Sequence, residues 1–379
     1  MKTRPECRFI WGSVLVLAII SLPTHADEPS EAFRAAAGKV CSSVVTIETV
    51  GGTQSTPAVA DMPAFIVADG PTTGLIWSTD GLIVTSSFNF VRDPSVITVT
   101  LSDGRRFVAK LLARDEIRRL AMLKIDATGL PTPEWASRGD MRVGQWAIGL
   151  GRGHGTVVDA TDNAVGGCTL TAGIVSGLER MSGLVVQTDA KLSPANFGGP
   201  LIDLSGRVIG VCVPIGLDHS QLSGVEWYDS GIGFAVPRWQ VEASAGETAE
   251  GHNIRRGLLG VAVNPRVLDT VIVVGMGEPS PALRAGIKPG DRIVAIDDKA
   301  VGDFSDLRRV LRPRSAGEQV TVHIERKGKL MDVSVVLAVP EDIGPVPAPA
   351  TEPSPSLTPA TEPSDDRDWP VVPPSSGPS

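Results

Sequence analysis

The stretch Gly74-Leu75-Ile76-Trp77-Ser78-Thr79-Asp80-Gly81-Leu82-Ile83-Val84-Thr85 reads as two short β-type runs separated by Ser, Asp and Gly. The same pattern recurs on either side of it, in Ser43-Val44-Val45-Thr46-Ile47, Val96-Ile97-Thr98-Val99-Thr100 and Arg207-Val208-Ile209-Gly210-Val211. Repeated short strands with turn signals and few helical periods predict an all-β barrel or sandwich pair from Val40 to Val236. A segment of roughly 200 residues has room for two six-stranded barrels. A second region, from near Gly257 to near Ala338, predicts strands at Leu259–Val263, Val271–Val274, Arg292–Ile296, Val320–Ile324 and Asp332–Leu337. Between them lie two short helices, Pro281–Ala285 and Phe304–Leu311. In the second, Leu307, Val310 and Leu311 recur at i, i+3 and i+4 and form one apolar face. This region is expected to be a small β-barrel capped by helices.

Composition bounds the rest. With 379 residues, 42% hydrophobic and 21% charged, the chain has the length for two or three domains with real cores, which excludes a wholly disordered protein. Of its 30 prolines, 12 fall within residues 340–379, where Pro349-Ala350-Thr351-Glu352-Pro353-Ser354 repeats as Pro359 to Ser364. Such a segment cannot bury enough apolar area to offset chain entropy, so residues 340–379 are expected to be a disordered, Pro-rich tail. Its seven acids face Arg367 alone, so the tail supplies most of the net charge of −8. With little basic excess elsewhere, electrostatic binding to nucleic acid or anionic lipid is disfavoured.

Lys2, Arg4 and Arg8, an apolar run from Ile10 to Leu22 and the small residues of Thr24-His25-Ala26 predict a cleaved secretory signal over residues 1–26. The run is shorter than the roughly 20 residues that span a bilayer, and an uncleaved anchor is the alternative. Cys7 leaves with the signal. Cys41, Cys168 and Cys212 remain, which allows one disulfide and leaves one thiol over. No CxxC or His-rich spacing suggests a metal, and no cofactor is expected.

Five segments, in order, carry a resemblance: Gly81-Leu82-Ile83-Val84-Thr85, Leu120-Ala121-Met122-Leu123-Lys124-Ile125, Thr171-Ala172-Gly173-Ile174-Val175-Ser176, Asn196 with Gly198-Gly199-Pro200-Leu201, and Gly231-Ile232-Gly233-Phe234-Ala235-Val236-Pro237. To these the second region adds Leu259-Gly260-Val261 and Ser280-Pro281-Ala282-Leu283-Arg284-Ala285-Gly286-Ile287-Lys288-Pro289-Gly290-Asp291-Arg292-Ile293. Together they resemble the HtrA (Deg) serine proteases over about Ala36 to Leu337. The resemblance implies a mainly β chain: a chymotrypsin-like double β-barrel over 27–252, then a PDZ domain over 255–338.

Where that family carries its nucleophilic serine, base histidine and orienting aspartate, this chain has Phe197, Phe88 and Arg119. A phenyl ring neither attacks nor takes a proton, and a cation opposes an imidazolium, so all three roles of the triad are vacant. Ala195 also replaces the glycine whose amide helps form the oxyanion hole. A slip in register would have to refill every role at once. Ser193 comes four positions early, Asp115 is the rival acid near Arg119, and no histidine lies near Phe88. Phe88 and Phe197 are therefore expected to pack on each other, with Arg119 stacked on Phe88 or turned to solvent. The alternative makes them two unrelated core residues.

A PDZ domain binds extended C-terminal peptides by strand addition. The resemblance places the carboxylate loop on Gly257-Leu258-Leu259-Gly260, the accepting strand on Val261-Ala262-Val263, and the far wall on the helix bearing Leu307, Val310 and Leu311. Arg255 and Arg256 precede the loop and favour an anionic terminus. The expected function is that of an exported, HtrA-like pseudoprotease that binds peptides or unfolded proteins in quality control, or regulates active relatives. An active serine endopeptidase of the same fold is the alternative. A homo-oligomer, typically a trimer, or a mixed oligomer with active relatives is implied, with contacts beginning in Asp27 to Lys39. Gly149, Gly151, Gly153 and Gly155 read as a flexible loop and not a dinucleotide fingerprint. His154 and Asp218-His219-Ser220 read as surface loops, and Lys191 and Ser193 face opposite sides of an extended segment.

Overall fold

The structure, a computed structural model, describes residues 28–51, 71–90, 93–152, 167–214, 231–264, 267 and 269–345. The signal reading, His154, Asp218-His219-Ser220 and all but the start of the tail lie outside these residues. Contacts divide the chain into two units, with the division between Ile254 and Arg255.

The first unit holds two closed six-stranded barrels. Strands β1 (Val44–Val50), β2 (Thr72–Ile76), β3 (Leu82–Ser86), β4 (Val96–Thr100), β5 (Arg106–Asp115) and β6 (Leu120–Lys124) close in the order β1-β2-β3-β6-β5-β4. Strands β7 (Trp146–Gly151), β8 (Thr169–Glu179), β9 (Val185–Thr188), β10 (Pro200–Ile202), β11 (Val208–Val213) and β12 (Gly233–Pro237) close in the order β10-β11-β12-β9-β8-β7. Val45, Ile47, Ile76, Ile83, Phe90 and Leu123 fill the first barrel, and Ala147, Val186, Leu201, Ile209 and Cys212 the second. A third cluster, with Val44, Leu75, Val84, Leu120, Ile148, Leu150 and Val236, lies between them. Strands such as β2, β11 and β12 are buried at every position, because one face meets a barrel interior and the other this shared layer.

Two helices join that layer. In α1 (Glu28–Val40), Phe33, Ala36, Ala37 and Val40 recur at i, i+3, i+4 and i+7 and face the core. Phe33 also meets the Trp146 ring edge-on at 5.3 Å. The segment expected to begin oligomer contacts therefore packs, in this chain, on its own second barrel. In α2 (Arg238–Ala249) the buried positions are Val241, Ser244 and Thr248. Both hydroxyls bond back along the helix, to the Val241 and Ser244 carbonyls, which is why no apolar period announces α2.

Gly149 and Gly151, expected in a flexible loop, are part of β7. A Cβ at Gly151 would come within 2.7 Å of the Asn196 side chain and one at Gly149 within 2.9 Å of Leu192, so close packing accounts for both glycines. Cys41, in the 3-10 turn after α1, is disulfide-bonded to Cys168 ahead of β8 across 6.2 Å between Cα atoms. Among the described residues Cys212 is the free thiol, and burial pushes its pKa up to about 12.

The second unit is a sheet ordered β13 (Val261–Val263), β14 (Val271–Met276), β15 (Arg292–Ile296), β17 (Gln319–Arg326), β18 (Lys329–Val336), with β16 (Lys299–Ala300) beside β15. The Ser280 hydroxyl caps α3 (Pro281–Arg284) and the Asp303 carboxylate caps α4 (Phe304–Leu311). Asp291 is buried and accepts from Arg326 Nε and Nη2 at 2.7 Å each and from the Lys288 amide at 2.8 Å. Those bonds, Arg326 foremost, hold its carboxyl below the usual carboxylate range. The expected tail needs correcting at its start. Pro340–Asp342 form a 3-10 turn, Glu341 pairs with Arg255 at 2.6 Å, and the Gly344 amide donates to the Pro279 carbonyl. Proline fits the first position of that turn, and Arg255 holds it to the domain.

Because the disulfide spans 127 residues, Cys41→Ser is expected to destabilise the first unit by about 3–5 kcal/mol and to make its urea midpoint insensitive to reductant. Asp291→Asn is expected to destabilise the second unit by about 2–4 kcal/mol at pH 7. The depressed carboxyl makes its contribution above pH ~4 and loses it as pH falls through the folded-state value, so wild type and variant converge in acid, as thermal melts from pH 7 to pH 2 would read out.

Candidate functional site

Thr73, fully buried on β2, ties the two barrels together. Its hydroxyl donates to the Ala195 carbonyl at 2.6 Å and accepts from the Arg152 amide at 2.7 Å, while its own carbonyl accepts from the Thr85 hydroxyl at 2.7 Å. Against this network sits the turn of residues 195–199. A Cβ at Gly198, where φ is +89°, would lie 2.1 Å from Thr85 Oγ1 and 2.2 Å from the Thr73 carbonyl. One at Gly199 would lie 2.3 Å from the Leu150 carbonyl. Only glycine fits this approach of the second barrel to the first.

Phe88 is carried by the 3-10 turn Ser87–Phe90 that follows β3, and Phe197 by the turn before β10. Their rings meet at 5.6 Å between centroids and 82° between planes, and the residues are 5% and 6% exposed. This is a favourable edge-to-face contact. It occupies the inter-barrel cleft with hydrocarbon.

The backbone around it is also committed. The Phe197 amide donates to the Ser193 and Pro194 carbonyls at 3.2 and 3.3 Å, and the Asn196 amide to Ser193 at 2.8 Å. An amide turned back on its own loop is not presented to an oxyanion. The Ser193 hydroxyl donates to Asn196 Oδ1 at 2.9 Å, an amide oxygen with no basic character. Beside Phe88, Asn89 is buried and donates to Thr85 Oγ1 at 3.0 Å.

Arg119 neither stacks on Phe88 nor turns fully to solvent. It is half-buried at a φ of +59°, and its carbonyl accepts from the Ser87 amide at 2.9 Å. Burial holds its guanidinium below the usual arginine range, with Glu116 acting in the opposite direction. The turn into β6 sets this position, because Asp115 is fully spent there. Its carboxylate accepts from the Ile117 and Arg118 amides at 2.9 and 3.0 Å and from Arg118 Nη1 at 3.0 Å, and Arg118 continues to Gln240. The described histidines lie elsewhere: His252 is exposed beside Glu250, and His323 is on β17 of the second unit. Among the described residues no group of three or more His, Cys, Asp or Glu is placed to hold a metal.

The second unit offers an edge. β13 pairs with β14 on one side, and its other side has no strand partner among the described residues. The expected carboxylate loop is only partly available. The Gly257 amide donates to Arg314 and the Leu258 amide to Ala338, whereas those of Leu259 and Gly260 have no acceptor among the described residues. Gly260 has a φ of +78°, and the loop faces residues 314–315 just past α4. Leu307 and Val310, expected in the groove wall, are core residues, 4% and 2% exposed, as is Leu259. The helix presents Phe304 and Leu311 instead, half-buried like Leu258, Val261 and Val263. Phe304 was missed because the apolar count centred on Leu307. The spacing Phe304, Leu307, Arg308, Leu311 marks a second helix face one step round from the core.

A trypsin-like peptidase domain model matches residues 72–211 and a PDZ domain model residues 257–337. The chain is 33% identical over 290 residues to a probable periplasmic serine endoprotease DegP-like of Chlamydia trachomatis, covering 72% of this chain and 55% of that protein. It is 31% identical over 280 residues to the counterpart of Halomonas elongata, covering 70% and 55%. The chain thus spans about half the length of these curated relatives. Among solved structures, the HtrA-type protease AlgW with decapeptide superposes with a TM-score of 0.60 at 26% identity, covering 83% of this chain and 99% of that one. The serine endoprotease of Yersinia pestis gives 0.60 at 24%, covering 81% and 97%, a likeness of fold.

Phe88→Ala and Phe197→Ala are each expected to cost about 3–4 kcal/mol in chemical unfolding. The double variant should fall short of their sum by about 0.5–1.5 kcal/mol, because the two rings share one contact. Strict additivity would show that the rings act independently.

Proposed function

Because the chain belongs to the HtrA family, with a trypsin-like peptidase domain followed by one PDZ domain, we propose that it is an exported pseudoprotease that binds peptides or unfolded proteins through its PDZ groove. The observation that carries this reading is the Phe88–Phe197 contact, two phenyl rings packed together at the positions to which the resemblance assigns the family's base and nucleophile. The returned Phe197 amide supports it, since even a serine at this position would lack one oxyanion donor in this conformation. On this reading the chain holds a substrate and does not cut it. Its role is then to hold clients in protein quality control or to regulate active relatives, as a homo-oligomer, a trimer by analogy, or as a subunit mixed with them. The periplasm is the proposed compartment, supported by the names of the relatives and by a disulfide that suits an oxidising environment. The described residues contain no helix long and apolar enough to cross a membrane.

Those same relatives are named serine endoproteases, which favours a second reading as an active enzyme. A fluorophosphonate probe separates the two. The native protein is expected to remain unlabelled and to leave casein intact beside a labelled active HtrA-type control. Labelling that disappears on denaturation would overturn the pseudoprotease reading. Restored cleavage in the triple variant Phe88→His, Arg119→Asp, Phe197→Ser would support the assignment of the three positions.

A further inference from the structure

β18 is the last strand of the second unit's sheet, and its outer edge has no strand partner among the described residues. The Leu337 amide donates to the Glu318 carbonyl and the Gly317 amide to the Leu337 carbonyl, so Leu337, Val335, Val333 and Met331 spend their backbone groups on the β17 side. Alternation turns those of Val336, Ser334, Asp332 and Leu330 outward, in line with Ala338, which exchanges both of its bonds with Leu258. Sheet edges are commonly guarded by a bulge, a proline or an inward-pointing charge. β18 pairs with β17 in unbroken register over all eight of its residues, contains no proline, and exposes Leu330, Met331 and Val336 at 74%, 42% and 53%.

Beside the last residues of β18 lies a cleft of about 620 Å³, lined by Pro281 and Arg284 of α3 and by Ala285, Ser334, Val336 and Asp342. It leaves room for the end of an added strand. The residues of β18 itself show which strand fits. Leu330, Asp332, Ser334 and Val336 share the exposed face, in the order apolar, polar, polar, apolar. Laid antiparallel on a second copy about an axis at Val333, this order matches itself. Leu330 lies opposite Val336 and Asp332 opposite Ser334, and every residue so paired is one whose backbone groups point outward. The Ser334 hydroxyl accepts from Gln319 Nε2 at 2.7 Å and keeps its proton for a carboxylate, while Asp332 meets His323 through Oδ1 and keeps Oδ2. An axis at Asp332 would instead set two carboxylates opposite each other. An axis at Ser334 would set Asp332 opposite Val336 and require Ala338, which Leu258 already occupies. The Val333 axis also brings the turn carrying Lys327 and Lys329 toward Glu341 and Asp342 of the other copy, all four exposed.

We propose that β18 is a self-association edge, through which two copies of this chain join their second units by antiparallel β18–β18 pairing about a two-fold axis at Val333. The interface is isologous, so each side-chain contact is made twice. Leu330 on Val336 forms its apolar part, and Ser334 donating to Asp332 its polar part. β13 lies at the other end of the sheet order, so a joined pair keeps both β13 edges open.

Sedimentation velocity on the full chain, across about 1–200 μM, tests this. Wild type is expected to show a concentration-dependent association whose midpoint rises about tenfold in Leu330→Lys, a change at an exposed position that removes two apolar contacts. Ser334→Lys is expected to lower the midpoint about 3–10-fold, because the added ammonium meets Asp332 of the second copy. Adding Asp332→Lys to Ser334→Lys should reverse that gain by setting like charges opposite each other. No association, or one indifferent to Leu330→Lys, overturns self-pairing and leaves the edge to a strand of another protein. Weaker association in Ser334→Lys overturns the axis at Val333, since like charges then meet across the pair.

Discussion

No side chain larger than hydrogen fits at Gly198, and the first unit is organised around that exclusion. The turn of the second barrel approaches the backbone of β2 and the Thr85 hydroxyl until a Cβ would overlap both. Thr73 holds the approach by donating across to Ala195 and accepting from Arg152. Once these bonds are fixed, the ends of β3 and the turn before β10 face each other at one distance only. Whatever side chains stand at 88 and 197 must then meet. With phenylalanine at both, the result is a packed contact instead of a polar cleft.

Much of this was legible in the residues. Five of the twelve barrel strands, β1 to β4 and β11, follow from short apolar runs broken by Gly, Asp and Ser, and the ends of α4 were read at Phe304 and Leu311. α1 was overlooked although Phe33, Ala36, Ala37 and Val40 have helical spacing, because three small or weakly apolar residues make a faint stripe. α2 was illegible for a different reason: its inner face is a valine and two hydroxyls that bond within the helix. In the site, the three substituted positions could be named from motif order alone. The turned-back Phe197 amide could not, since a backbone hydrogen bond within a loop has no signature in side-chain identity. Nor could the half-buried place of Arg119, which depends on Asp115 and Arg118 closing the turn before it. The pairing of Cys41 with Cys168 needs the packing of α1 on the second barrel, and no pairwise spacing contains it.

The two units handle charge differently. In the inter-barrel cleft, hydrocarbon occupies the centre and the adjoining Asp115 is consumed by its own turn and by Arg118. In the second unit, a buried carboxylate is kept and paired. Asp291 anchors Arg326, while Arg309 pairs with Asp306 and Arg308 lies exposed over the Phe304 ring. Burial stabilises the first arrangement through packing.

The disulfide bears on how the chain matures. Two of the three pairings open to Cys41, Cys168 and Cys212 involve Cys212, so oxidation of the unfolded chain would trap more wrong links than right ones. Thiol exchange needs a thiolate, and the second barrel places Cys212 inside β11, where burial pushes its pKa up to about 12. Folding of that barrel therefore acts as the proofreader. It withdraws the competing sulfur from exchange and leaves Cys41 and Cys168 as the exchangeable partners among the three.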